Sequence, residues 1–115
     1  MPKKRYVLTP TARAQLREAK SWSRARWGVA LTQRYFEDLE NAAQYVAAHH
    51  KEICQNPHSE LGVYPVREHY IIYTPLDEDT IAIVAVIRQG RDIPSLLQRY
   101  ASVFARELRE MGYKG

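Results

Sequence analysis

The sequence predicts an α+β domain of order β-α-α-β-β-β-α, a small antiparallel-rich sheet with an N-terminal helical hairpin on one face and a C-terminal helix on the other. Three observations predict it. Two long segments with apolar residues at helical spacing are separated only by the turn at Trp27-Gly28. Three β-rich runs then follow one another between Val63 and Arg88. The last of them, Ile81-Ala82-Ile83-Val84-Ala85-Val86-Ile87, is apolar at every position and needs cover on both faces.

In chain order, Tyr6-Val7-Leu8 is a short strand ended by Thr9-Pro10. Thr9 suits an N-cap, and Pro10 suits the first helical position because its missing N–H has no intrahelical partner there. The first helix is expected to run to about Arg26, with Ala12, Leu16, Ala19 and Trp22/Ser23 as its apolar side. Gly28 offers the left-handed geometry that only glycine adopts cheaply. A second helix from about Ala30 to His50 carries Leu31, Tyr35, Leu39, Ala42/Ala43 and Val46, and so short a turn makes the pair antiparallel. Residues 51–61 read as a surface connection. Val63–Glu68 and His69–Thr74 form strands around a tight turn, and the turn residues 75–79 lead into a strand from Thr80 to Arg88. The closing helix spans Pro94 to about Glu110, with Leu97, Tyr100, Val103/Phe104, Leu108 and Met111 in one stripe, and the tail 112–115 is frayed.

A chain of 115 residues, 45% hydrophobic, without a repeat or linker, is read as one domain over 1–115. At this size roughly two thirds of the surface can be buried without disulfides. The lone Cys54 excludes an internal disulfide framework and a multi-cysteine zinc site. The Met1-Pro2-Lys3-Lys4-Arg5 start lacks a signal peptide's apolar region, so a cytoplasmic protein with no membrane association is expected. The net charge of +4 is uneven: residues 1–34 hold nine Lys+Arg against one Glu, residues 35–92 are acidic on balance, and 93–115 are basic again. That distribution favours an acidic polypeptide or nucleic acid as partner.

Three strings, in order, resemble the RelE/ParE superfamily of bacterial type II toxins, in its ParE-like branch. Leu8-Thr9-Pro10-Thr11-Ala12-Arg13-Ala14-Gln15-Leu16, with Arg26-Trp27-Gly28 and Arg34-Tyr35-Phe36-Glu37-Asp38-Leu39, is similar to its helical hairpin. Residues 64–73, Tyr-Pro-Val-Arg-Glu-His-Tyr-Ile-Ile-Tyr, are similar to its paired strands, and 83–94, ending Arg91-Asp92-Ile93-Pro94, to its last strand and exit. Ala19 departs from the pattern, sitting where a larger aliphatic is usual, and residues 95–115 extend past the point where many members stop.

The resemblance implies a toxin neutralised by a co-encoded acidic antitoxin, for which the exposed cations Arg13, Arg17, Lys20 and Arg24 are suited. ParE-like members bind DNA gyrase and stall its cleaved DNA intermediate without catalysis of their own; RelE-like members cut mRNA on the ribosome with acid, base and cationic side chains and no metal. The deciding residues lie near the end of the last strand. Arg88, Arg91 and Tyr100 are the candidate target contacts, and a ribonuclease would draw on Arg67, His69, Arg88, Arg91 and Tyr100. The shortage of lysine and of a second acid/base partner in the strands favours the binder. Direct DNA binding through the basic first helix is a third reading, without a recognition helix to support it. Asp92 suits a helix cap, and His69 and Tyr73 suit half-buried, polar-tipped aromatic positions. Trp22 and Trp27 read as hairpin packing. In the cluster that starts at His49, the residues His50, Cys54 and His58 follow a His-x3-Cys-x3-His spacing that runs into a loop near Pro57 and has no fourth obvious ligand, so neither metal nor cofactor is expected.

Overall fold

In a computed structural model, the structure describes residues 6–53, 61–77, 80–90 and 92–112. The element order is β1 (Tyr6–Leu8), α1 (Pro10–Trp27), α2 (Val29–Ile53), β2 (Gly62–Val66), β3 (His69–Pro75), β4 (Ile81–Arg88) and α3 (Ile93–Glu110). All seven expected elements are present, with every end within three residues of the one expected. The largest shift is at α2, which continues to Ile53 after non-helical backbone angles at His49. Gly28 does adopt a positive φ of 87°, but with ψ at 171°, an extended region essentially confined to glycine rather than the left-handed helical one.

The sheet order is β1-β4-β3-β2, with β1 parallel to β4 and the other pairs antiparallel. Across β3 and β4 the register slips: Ile72 faces Ala85 while Tyr73 faces Ile83, which leaves Val84 as the extra residue of a bulge. The bulge reverses the inside-outside alternation along β4. Ile81, Ile83 and Val86 join the core under the helical hairpin, whereas Ala82, Val84, Ala85 and Ile87 join the core under α3. This is how one strand, apolar at seven consecutive positions, feeds two cores.

The first core gathers Ala12, Tyr35, Leu39, Ala43, Val46, Ile71 and Tyr73, and the second gathers Ile72, Phe104 and Leu108 against Leu96 and Leu97. Three stripe assignments are corrected. Ser23 is buried and Trp22 is 39% exposed, so the side of α1 that meets the sheet is rotated away from the tryptophan. Thr32 takes the buried place expected for Leu31; its hydroxyl donates to the Gly28 carbonyl at 2.7 Å, which satisfies the buried oxygen, and Leu31 is left exposed. On α3, Tyr100 is 41% exposed and Glu107 is buried between Phe104 and Leu108.

Candidate target-binding cleft

The N-cap of α1 ties that helix to the bulge. The Thr9 N–H donates to the Ile83 carbonyl at 3.1 Å, its hydroxyl donates to the Val84 carbonyl at 3.2 Å, and the same oxygen accepts the Ala12 N–H at 3.3 Å. One turn on, the Gln15 Oε1 accepts the Val86 N–H at 2.8 Å. These bonds carry α1 along β4 where β1 has already ended, and α3 passes on the other face of the sheet. Between the two helices a cleft of about 260 Å³ opens against the last residues of β4. Its polar lining is Thr11, Gln15, Glu18, His69, Arg88 and Tyr100, and Ala19, Leu96 and Phe104 complete its walls.

His69 is paired with Arg88 across β3 and β4 and is buried. Its Nδ1 lies 2.5 Å from the Tyr35 hydroxyl, whose oxygen accepts the Glu68 N–H at 3.2 Å. Burial raises the Tyr35 phenol above its ordinary value, so it keeps its proton. Burial, and then the nearby Arg88 cation, push His69 below its ordinary value, which favours the neutral ring. His69 is buried rather than half-buried as expected, and Tyr73, for which the same was expected, is buried in the first core. Gln89 braces the turn beneath by donating from Nε2 to the carbonyls of Arg67 at 2.8 Å and His69 at 3.2 Å.

Arg88 leaves the end of β4 exposed, with its guanidinium 4.9 Å from the centroid of the Trp22 ring; Arg26 sits 5.1 Å from the same ring. Trp22 meets Trp27 edge-on at 5.5 Å, the hairpin packing that was expected, but it also serves as a platform that holds two cations at the mouth of the cleft. Tyr100 stacks on Phe104 at 6.2 Å. Asp92 caps α3, accepting from the Ser95 N–H at 3.4 Å and the Ser95 hydroxyl at 2.7 Å; those two bonds lower its carboxyl pKa.

Of the five residues a nuclease would draw on, the cleft unites His69, Arg88 and Tyr100. Arg67 stands apart: at φ 52° in the β2–β3 turn, its side chain pairs with Asp38 on α2, with Nε 2.7 Å from Oδ2, and lies over the Tyr35 ring. Arg91 lies outside the described residues, as do Cys54 and His58. His50 Nε2 donates to the Asp77 carbonyl at 2.7 Å and His49 Nδ1 to the Tyr45 carbonyl at 2.9 Å. No group of three metal-ligating side chains occurs among the described residues.

Arg13, Arg17, Lys20 and Arg24 are all exposed. At 3.6 residues per turn they occupy an arc of about 60° on α1, centred about 160° from the arc of Thr11, Gln15, Glu18 and Trp22 that faces the cleft. The basic stripe and the cleft are therefore on opposite flanks of one helix. Sequence reasoning missed Gln15, Tyr35 and Glu107 as parts of this site. Gln15 and Tyr35 look like ordinary members of amphipathic helices. Glu107 did leave a signal, a carboxylate set inside the apolar stripe of α3.

A family model described as ParE toxin of the type II toxin-antitoxin system parDE matches residues 6–93, which ends at the first residue of α3. Toxin ParE1 of Mycobacterium tuberculosis is 30% identical over 91 residues, covering 77% of this chain and 93% of that protein. Toxin ParE of Escherichia coli is 26% identical over 99 residues, covering 80% and 91%. A solved structure, the chromosomal ParDE system from P. aeruginosa, superposes with a TM-score of 0.58 at 11% identity, covering 72% of this chain and 92% of the other, and so shares the fold. With the hairpin, the mixed sheet and the match over residues 6–93 all in agreement, the chain belongs to the ParE toxin family of type II toxin–antitoxin systems.

Proposed function

We propose that this toxin acts in the cytoplasm by binding DNA gyrase and holding it on cleaved DNA, and that a co-encoded acidic antitoxin neutralises it. The observation that carries the non-catalytic reading is the state of His69. His69 is buried, and its Nδ1 is engaged with the Tyr35 hydroxyl at 2.5 Å, the setting of a side chain that ties β3 to α2 rather than of a general base presented to a substrate. Arg88 is turned onto Trp22, and Tyr100 is exposed on the opposite wall; in this reading both contact the target at the mouth of the cleft. Arg91 belongs with them by its place in the sequence.

The antitoxin contacts the flank of α1 that bears Arg13, Arg17, Lys20 and Arg24, where exposed cations meet acidic side chains. No described helix is long and apolar enough to cross a membrane. The test is a comparison of purified toxin in two assays. Inhibition of gyrase supercoiling without ribosome-dependent mRNA cleavage is expected; mRNA cleavage lost in Tyr100→Phe would establish the ribonuclease instead. Binding to free duplex DNA at physiological salt would favour the third reading.

A further inference from the structure

The edge of a sheet is a template for another strand, and proteins ordinarily cover it. In this fold the cover over β4 is incomplete. Strand β4 has eight residues, but the three residues of β1 pair only with Ile81, Ala82 and Ile83. Beyond them Thr9 takes the carbonyls of Ile83 and Val84, and Gln15 takes the N–H of Val86. The Gln89 N–H donates to the Glu68 carbonyl, toward β3, so by alternation Arg88 faces the other way, as Val86 does. The Val86 carbonyl and the N–H and carbonyl of Arg88 thus point into the cleft, and none has a hydrogen-bond partner there among the described residues.

The surroundings suit a strand. Helices α1 and α3 flank the cleft on the two faces of the sheet, so a chain lying in the plane of the sheet would run between them. The direct contact of Thr11 with Glu107 closes one end, and Arg88, Trp22 and Tyr100 stand at the other. At position 19 only a methyl group intrudes into the slot.

We propose that this slot receives an extended acidic segment of the antitoxin, which adds as a short strand along Val86–Arg88 and sets a carboxylate against Arg88. The proposal rests on the reading that an antitoxin neutralises this toxin. The free groups fix the class of ligand: a carbonyl, an N–H and a carbonyl at strand spacing are read by another peptide backbone. The charge fixes its sign, because Arg88 and Arg26 are gathered on Trp22 in a chain of net charge +4. Glu18, exposed on the α1 wall, confines the acid to the residue that faces Arg88. A segment in this slot covers Arg88 and Tyr100, so neutralisation follows from occlusion of the groups proposed to touch the target.

Amide hydrogen exchange of the full-length toxin, with and without its purified cognate antitoxin, tests this at one atom. The Arg88 amide should exchange freely in the toxin alone and slow by about tenfold or more in the complex, with a smaller change at Val86, whose amide Gln15 already holds. A complex that leaves the Arg88 amide unchanged overturns strand addition while leaving the partner intact; no complex at all refutes the partner and the proposal together. As a second measurement, Ala19→Leu fills the slot without removing a hydrogen-bonding group and should weaken antitoxin binding by about tenfold. Arg88→Pro, which removes the N–H, should bind more weakly than Arg88→Ala. Antitoxin affinity unchanged in Ala19→Leu would contradict the proposal even if the proline variant does not fold.

Discussion

Glu107 on the last helix accepts two hydrogen bonds from Thr11 on the first, from the backbone N–H at 3.2 Å and the hydroxyl at 2.9 Å. Thr11 is in the first turn of α1, where backbone N–H groups lack intrahelical partners and a carboxylate complements the helix dipole. The bond links residues 96 positions apart and makes α3 a wall of the cleft rather than an appendage. Glu107→Ala is expected to cost about 1–3 kcal/mol, the range for leaving buried polar groups unpaired. Glu107→Gln, which keeps one acceptor, should cost less. Urea denaturation of the two variants checks this, and equal costs would show that only packing matters there.

Thr9 binds two elements through one hydroxyl, capping α1 and holding the bulge carbonyl of Val84. Thr9→Val keeps the shape and loses both bonds, for an expected loss of about 1–3 kcal/mol. Thr9→Ser should recover most of it. The measurement is the denaturation midpoint, read beside the exchange rate of the Ala12 amide.

The pH dependence of stability follows from His69. Its folded pKa lies below the ordinary value of 6.5, so the unfolded chain takes up the proton first as pH falls. The stabilising contribution is therefore fully present above about pH 6.5 and is lost as pH falls through the lower folded value. His69→Gln cannot take up that proton, and its stability should vary less than the parent's between pH 7.5 and 5. Parallel pH profiles for the two proteins would place the acid sensitivity elsewhere.

The β2–β3 turn stores a small strain. Arg67 has φ 52°, a region where a side chain costs about 1–2 kcal/mol and glycine costs little. Its exposed ion pair with Asp38 returns no more than about 1 kcal/mol. Arg67→Gly should therefore be neutral to slightly stabilising in thermal melts, whereas Asp38→Ala should be mildly destabilising. Clear destabilisation by Arg67→Gly would show that the contact over Tyr35 outweighs the strain.

The order of elements was legible because each carried its own local signal. Thr9-Pro10 marked a helix start, Gly28 a helix end, and the uninterrupted apolar run of β4 a strand covered on both faces. The bulge at Val84 was not legible, since a strand apolar at every position shows no change of phase when its alternation reverses. His69, Arg88 and Tyr100 could be placed together because all three lie near the end of β4 in the chain order. The bonds that define the cleft join residues far apart in sequence, Gln15 to Val86 and Tyr35 to His69, and helical periodicity carries no trace of them. Trp22 was misplaced for a related reason: it and Ser23 sit side by side at the edge of the stripe, and the neighbouring sheet, absent from any local pattern, decides which is buried.

The central claim is that this fold poisons a target by binding it. The most direct measurement is the accumulation of linear plasmid when gyrase, ATP and purified toxin are combined and the reaction is stopped with detergent. Linear DNA should rise with toxin concentration and fall to background with a folded Arg88→Ala variant. No linear DNA at any concentration, together with mRNA cut on ribosomes by the same preparation, would contradict the account.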